Sequence, residues 1–233
     1  MKFRAILLAL AAAAVNPAGA AEPNSLSSEE KAAGWALLFD GATLKGWRGY
    51  GLSGLPEAGW MIEGGLLKTV PKVKGKELIT ERKFRDFELS WEWRVAPGGN
   101  NGIKYFVTED RPKAPGHEYQ MLDDERHPDA IRGDTHKTAA FYDVLAAAPD
   151  KPVKPAGEWN ASRILVRGNL VEHWLNGQRV LTYELGSDSL KAALAKSKFK
   201  SFEDFGTKIP GHIMLTYHND ECWFRSIKVR AIE

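Results

Sequence analysis

The chain has one cysteine, Cys222, among 233 residues. No intrachain disulfide can staple it, and Cys222 itself reads as a small buried hydrophobe. An excess of charge is also missing: the formal net charge is +2, with 32 basic and 30 acidic residues. Such a balance gives no reason to expect a nucleic-acid partner or an anionic membrane surface. Long apolar runs are absent too. The longest covers residues 5–15, whereas a spanning helix takes roughly 20 residues, so no membrane anchor is expected.

That short apolar run has its own meaning. Lys2 and Arg4 precede it, Asn16-Pro17 stops it, and Ala18-Gly19-Ala20 supplies small residues. The pattern is that of a cleavable signal peptide over residues 1–20. No cysteine lies near the cleavage point, so no lipid anchor is expected, and the protein is expected to be periplasmic or secreted. Without Lys2 and Arg4 the remaining chain has 30 basic and 30 acidic residues and is formally neutral. Residues 21–33 read as a flexible leader, and 34–233 as a single domain uninterrupted by a linker.

Turns and tryptophans are what the chain has in quantity. Over 157–185, Gly168-Asn169 and Asn176-Gly177 punctuate three runs of alternating apolar and polar residues. Gly and Asn tolerate positive φ, so the segment reads as a three-stranded antiparallel meander. Further strands are expected at 35–39, 60–63, 66–70, 77–80, 86–95, 102–108, 117–122, 138–145, 212–217 and 223–231. Helical spacing of Leu190, Ala193, Leu194 and Ser197, after a Ser187 cap, predicts one short helix over 187–200. The class is therefore all-β, an antiparallel sandwich with one short helix.

Several motifs point further. Leu38-Phe39-Asp40-Gly41 is followed by Gly46-Trp47-Arg48-Gly49-Tyr50. Phe87-Glu88-Leu89 and Trp91-Glu92-Trp93 lead to Pro97-Gly98-Gly99-Asn100-Asn101-Gly102-Ile103. Then come Glu118-Tyr119-Gln120-Met121-Leu122-Asp123-Asp124, Gly157-Glu158-Trp159-Asn160, the phrase Val171-Glu172-His173-Trp174-Leu175-Asn176-Gly177, and Trp223-Phe224-Arg225-Ser226-Ile227-Lys228. In this order they resemble the 3-keto-disaccharide hydrolase family over nearly all of 34–233. The resemblance implies a concanavalin A-like jelly roll with a sugar on its concave face. It also implies cleavage of glycosides already oxidised at ring carbon 3, downstream of a sugar 3-oxidising dehydrogenase. A carbonyl there acidifies the carbon 2 proton, and its loss expels the group on carbon 1. Water then adds. Such a site needs a base, an acid for the leaving oxygen, and a cation or donor for the enolate.

The densest cluster of suitable groups runs from His117 to His127. On a strand Glu118 and Gln120 share a face, with Glu118 as candidate base and Gln120 as a sugar contact. Asp123, Asp124 and His127, spaced Asp-Asp-x-x-His, could ligate a divalent metal that steadies an enolate; Asp123 and His127 are also candidate catalytic groups. Lys104, sharing a face with Gly102 and Phe106, could polarise the ketone. Trp47, Glu92, Tyr142, His218 and Trp223 are candidate sugar contacts, and Trp60 a further platform. His218 stands in Thr216-Tyr217-His218-Asn219, where a family Gln-Asp-His-Gly pattern would be expected. His173 reads as structural. The Glu-x-Asp-x-x-Glu signature of retaining glucanases is absent, which argues against an ordinary two-carboxylate glycosidase. A sugar-binding sandwich without catalysis and a conventional glycoside hydrolase are the alternatives.

Overall fold

In the computed structural model, residues 22–202 and 204–232 are described; the expected signal peptide lies outside them. Alternation along the strands builds two antiparallel sheets over one core. The strands are β1 (Ala36–Leu37), β2 (Trp47–Gly49), β3 (Trp60–Glu63), β4 (Leu66–Thr69), β5 (Leu78–Thr80), β6 (Phe87–Val95), β7 (Asn100–Val107), β8 (His117–Leu122), β9 (Asn160–Arg167), β10 (Leu170–Leu175), β11 (Gln178–Glu184), β12 (His212–Leu215) and β13 (Cys222–Ala231). The larger sheet has the order β11-β10-β9-β6-β13-β4-β3, with β1 also on β13. The smaller has the order β2-β5-β12-β7-β8. The all-β sandwich expected from the sequence is what forms. The meander is β9-β10-β11, with Asn176 and Gly177 both at positive φ in its second turn.

Strand period decides which residues enter the core. Phe87, Leu89, Trp91, Trp93 and Val95 of β6 face inward, and the Trp91 ring meets Tyr119 of β8 edge-on with centroids 5.0 Å apart. His117, Tyr119 and Met121 therefore fill the space between the sheets, and Glu118, Gln120 and Leu122 project from the outer face of the smaller sheet.

A polar chain crosses this core. His173 Nδ1 is 2.8 Å from the Ala139 carbonyl, which can only accept. Nε2 must then accept from the Tyr105 hydroxyl at 2.8 Å, Tyr105 from Tyr183 at 2.6 Å, and Tyr183 from His117 Nδ1 at 2.9 Å. Every proton position follows from the first. His173 is structural, as its sequence context implied.

The structure departs from the expected elements in several places, among them an additional strand, β2, at Trp47–Gly49. Residues 138–145 form no strand: they bond to β8 through the Ala139, Ala140 and Tyr142 backbones and an isolated bridge at Phe141, but positive φ at Ala139 and Asp143 breaks the ladder. The helix over 187–200 is shorter, α2 (Asp188–Leu194), capped by Ser187 as expected. Of the expected flexible leader over 21–33, the described residues 22–33 are held: α1 (Ser28–Ala32) has a full capping box, Asn24 bonds Gly65 and Ser226, and Glu30 pairs with Lys228. Phe106 does not share a face with Lys104, since its positive φ turns it into the core.

Burial holds the His117 pKa down to about 3, helped by Arg111 and His173. Burial likewise lowers His173 to about 4, against the Ala139 carbonyl. A base depressed in the folded state is protonated first in the unfolded chain. Stability should therefore fall as pH drops from 6.5 through about 4 and towards about 3, read as a declining urea midpoint. Tyr105→Phe should cost about 1–3 kcal/mol in the same assay, because His173 and Tyr183 lose their buried partner.

Candidate active site

The outer face of β7 and β8 gathers a cluster of ionisable groups around a buried carboxylate. Their register sets Lys104 opposite Glu118, Gly102 opposite Gln120 and Asn100 opposite Leu122. Glu118 is 5% exposed. Lys104 Nζ lies 3.4 Å from its Oε2, and His218 Nε2, from the loop after β12, 3.7 Å from Oε1. Gly102 makes room for the carboxylate: a Cβ there would stand 2.5 Å from Glu118 Oε1. Burial pushes the Glu118 pKa up, but Lys104 and His218 together outweigh it and hold the acid at about 2. The group is a carboxylate at any working pH. Removing one partner would leave a buried charge uncompensated, which is strongly destabilising.

A second wall comes from the irregular segment beside β8. The Tyr142 backbone N–H donates to the Glu118 carbonyl at 3.1 Å. Burial, then a hydrogen bond to Asp129, raises the phenol pKa. Lys198 is exposed as a residue, yet its ammonium sits 4.0 Å over the Tyr142 ring. Lost solvation at that end lowers its pKa, partly offset by Glu118 and Asp143. Asp143 anchors the Lys198 backbone N–H at 2.6 Å and lies 3.1 Å from His136 Nε2. Three carboxylates (Glu118, Asp129 and Asp143), the Lys104 and Lys198 ammonium groups, the His218 and His136 imidazoles and the Tyr142 phenol thus gather beside β8.

Of the residues expected from sequence, Glu118, Gln120, Lys104, Tyr142 and His218 belong to this region. Lys198, Asp129 and Asp143 were missed, because they sit in irregular segments that no periodicity links to β8.

Other expectations need correction. Asp123 Oδ2 accepts from Gly98 N–H at 2.8 Å, and Oδ1 from Glu125 and Arg126 N–H at 3.1 and 3.2 Å. It ties two turns together, about 16 Å along the chain from Glu118 at strand rise. Asp124 accepts from Thr138 N–H at 2.7 Å and pairs with Lys151 at 3.0 Å. His127 Nδ1 accepts from Asp129 N–H at 3.1 Å. These bonds tie Asp123 and His127, expected as a catalytic pair, into the turn beyond β8, and the expected metal set Asp123, Asp124 and His127 is not assembled. Among the described residues no three His, Cys, Asp or Glu side chains are placed to hold a metal ion.

The aromatic platform is elsewhere as well. Trp47 is 3% exposed, with its indole N–H on the Leu38 carbonyl at 2.5 Å, so it is core. Trp60 packs on Phe224 and Tyr217. Glu92 and Trp223 lie on the outer face of the larger sheet, across the sandwich from Glu118. There Glu92 pairs with Arg225 at 2.5 Å, and Trp223 is flanked by Lys68 and Arg94.

Residues 34–230 match the model of the 3-keto-alpha-glucoside-1,2-lyase-like domain. The chain belongs to this family. A protein named 3-keto-disaccharide hydrolase from Bacteroides thetaiotaomicron is 36% identical over 247 residues, covering 92% of this chain and 84% of the relative. A crystal structure of a candidate glycosyl hydrolase from Parabacteroides distasonis superposes with TM-score 0.81 at 32% identity. It covers 91% of this chain and 100% of the other. A second from the same organism has TM-score 0.65 and 26% identity, over 85% and 99% of the two chains. The chain is a glycosidase-type hydrolase or lyase on a concanavalin-type sandwich.

Gly102→Ala tests the geometry. The added methyl meets the far end of a flexible side chain, so the fold should survive with only a few degrees lost in Tm. The displaced carboxylate should lower kcat/KM about a hundredfold. Circular dichroism melts and steady-state kinetics on the same preparation check both.

Proposed function

We propose that this enzyme cleaves 3-keto-glycosides by elimination and hydration. Glu118 takes the proton from carbon 2 as the electron pair moves towards the carbon 3 oxygen. Lys104 and Lys198 stabilise the resulting enolate. As it collapses, the carbon 1–oxygen bond breaks, and the departing oxygen takes a proton from Tyr142 or His218. Water then adds its hydroxyl to carbon 1 and a proton to carbon 2, which gives the free 3-keto sugar.

The observation that carries this reading is the pairing of the buried Glu118 carboxylate with Lys104 at 3.4 Å and His218 at 3.7 Å, which favours its ionised form. A conventional glycosidase needs a carboxylic acid with a raised pKa to protonate the leaving group. Glu118 is held at about 2 and is unsuited to that task. It is a weak base as well, so the barrier must be lowered chiefly by the cations. Their arrangement fits: when Glu118 accepts the proton, negative charge leaves its carboxylate and appears on the enolate oxygen. The ammonium groups face one anion before the step and one after it.

The substrate must come from an oxidation of the carbon 3 hydroxyl, which a dehydrogenase would supply. Work in the periplasm or outside the cell is part of the proposal, resting on the sequence of residues 1–20.

Glu118→Gln should lower kcat/KM on a 3-keto-disaccharide about 10²- to 10⁴-fold, with product followed by mass spectrometry. The wild type should leave the unoxidised parent intact. Equal cleavage of parent and keto form would sink the elimination route.

A further inference from the structure

Beside Glu118 the outer face of the smaller sheet continues in one direction only. Past Lys104 it is filled by Val107, Met214 and Ile79, with Tyr50 packed on them. Towards the far end of β8 it presents Gln120 and then Leu122, with Gly102 and Asn100 opposite. Each step of two residues advances about 7 Å, close to the width of one pyranose ring.

Two carboxamides there are unused by the protein. Gln120 is 1% exposed, and its backbone groups are satisfied by Ala139 and Ala140. Its side chain makes no hydrogen bond to any described residue. Asn100 is 8% exposed; its backbone N–H donates to Asp220 Oδ2, while its Oδ1 is buried without a partner. Buried polar groups are seldom left unpaired, and a ligand is one way to satisfy them. A carboxamide offers a donor and an acceptor without charge, which suits hydroxyl groups rather than carboxylates or phosphates. Leu122 adds an apolar surface for a ring face and also lines a cleft of about 140 Å³ with Asp123, Arg126 and Lys154.

We infer that Gln120 and Asn100 form a second subsite, which binds the hydroxyls of the leaving sugar of an oxidised disaccharide and sets the preference for a sugar over a small leaving group. The inference rests on the elimination reading only for the placement of the keto ring at Glu118.

The test compares wild type, Gln120→Leu and Asn100→Ala on a 3-keto-disaccharide and on methyl 3-keto-glucoside, with thermal melts to verify folding. Each variant should lower the ratio of kcat/KM for disaccharide over methyl glycoside about tenfold or more, as expected for a lost hydroxyl contact. An unchanged ratio in the folded variants overturns the subsite, as does a parallel fall on both substrates. Asn100→Ala removes no hydrogen bond made by the side chain, so it decides the matter if Gln120→Leu does not fold. Calorimetric titration with the unoxidised disaccharide and methyl glucoside separates this from the reaction itself. If wild type cleaves neither keto substrate, the elimination reading fails. The subsite then stands on about tenfold weaker disaccharide binding by the variants relative to methyl glucoside, and falls without it.

Discussion

One buried negative charge organises the working face of this protein. Glu118 has lost its water, and a lone carboxylate in that position would be neutral or would unfold the strand. Everything near it answers that cost. Lys104 stands opposite in register, the loop after β12 brings His218 across, and Gly102 gives up its side chain so that the carboxylate has somewhere to lie. The proposed role of Glu118 as the base follows from the same cost. A charge kept ionised against its environment is poised to be exchanged for another charge at the same place, and enolate formation is such an exchange.

The sandwich beneath is rigid for a different reason. Between the sheets, hydrogen bonds run in one direction from His117 through Tyr183 and Tyr105 to His173 and end on the Ala139 carbonyl. Apolar packing alone would tolerate small slips of β7 against β8. A chain of buried donors and acceptors does not, since a slip by one residue would orphan several groups at once. The register that sets Lys104 opposite Glu118 is thus protected from the inner side of the same two strands.

Period-two patterning made most of this legible in the sequence. It placed β6, β8 and the meander, and it put Glu118 and Gln120 on one face. It said nothing about Lys198, Asp129 or Asp143, whose positions depend on irregular backbone with positive φ at Ala139 and Asp143. The spacing Asp-Asp-x-x-His was misleading because Asp123 and Asp124 are spent on backbone amides and a lysine. Tryptophan is ambiguous in kind: Trp47 and Trp223 have the composition of a sugar platform, but one is core and the other lies beneath cations on the far sheet. Residues 22–33 look polar and loose, yet caps and pairings to the last strand hold them.

That last strand has a consequence for how the molecule is made. β13 lies inside the larger sheet, between β6 and β4, and also carries β1 and the contacts of Asn24 and Glu30. Partners up to 202 residues apart cannot meet until the C-terminal stretch is present, and long loops close slowly. The larger sheet therefore stays open between β6 and β4 until β13 arrives to fill the gap, so its two halves are joined by the strand that comes latest among those it contains.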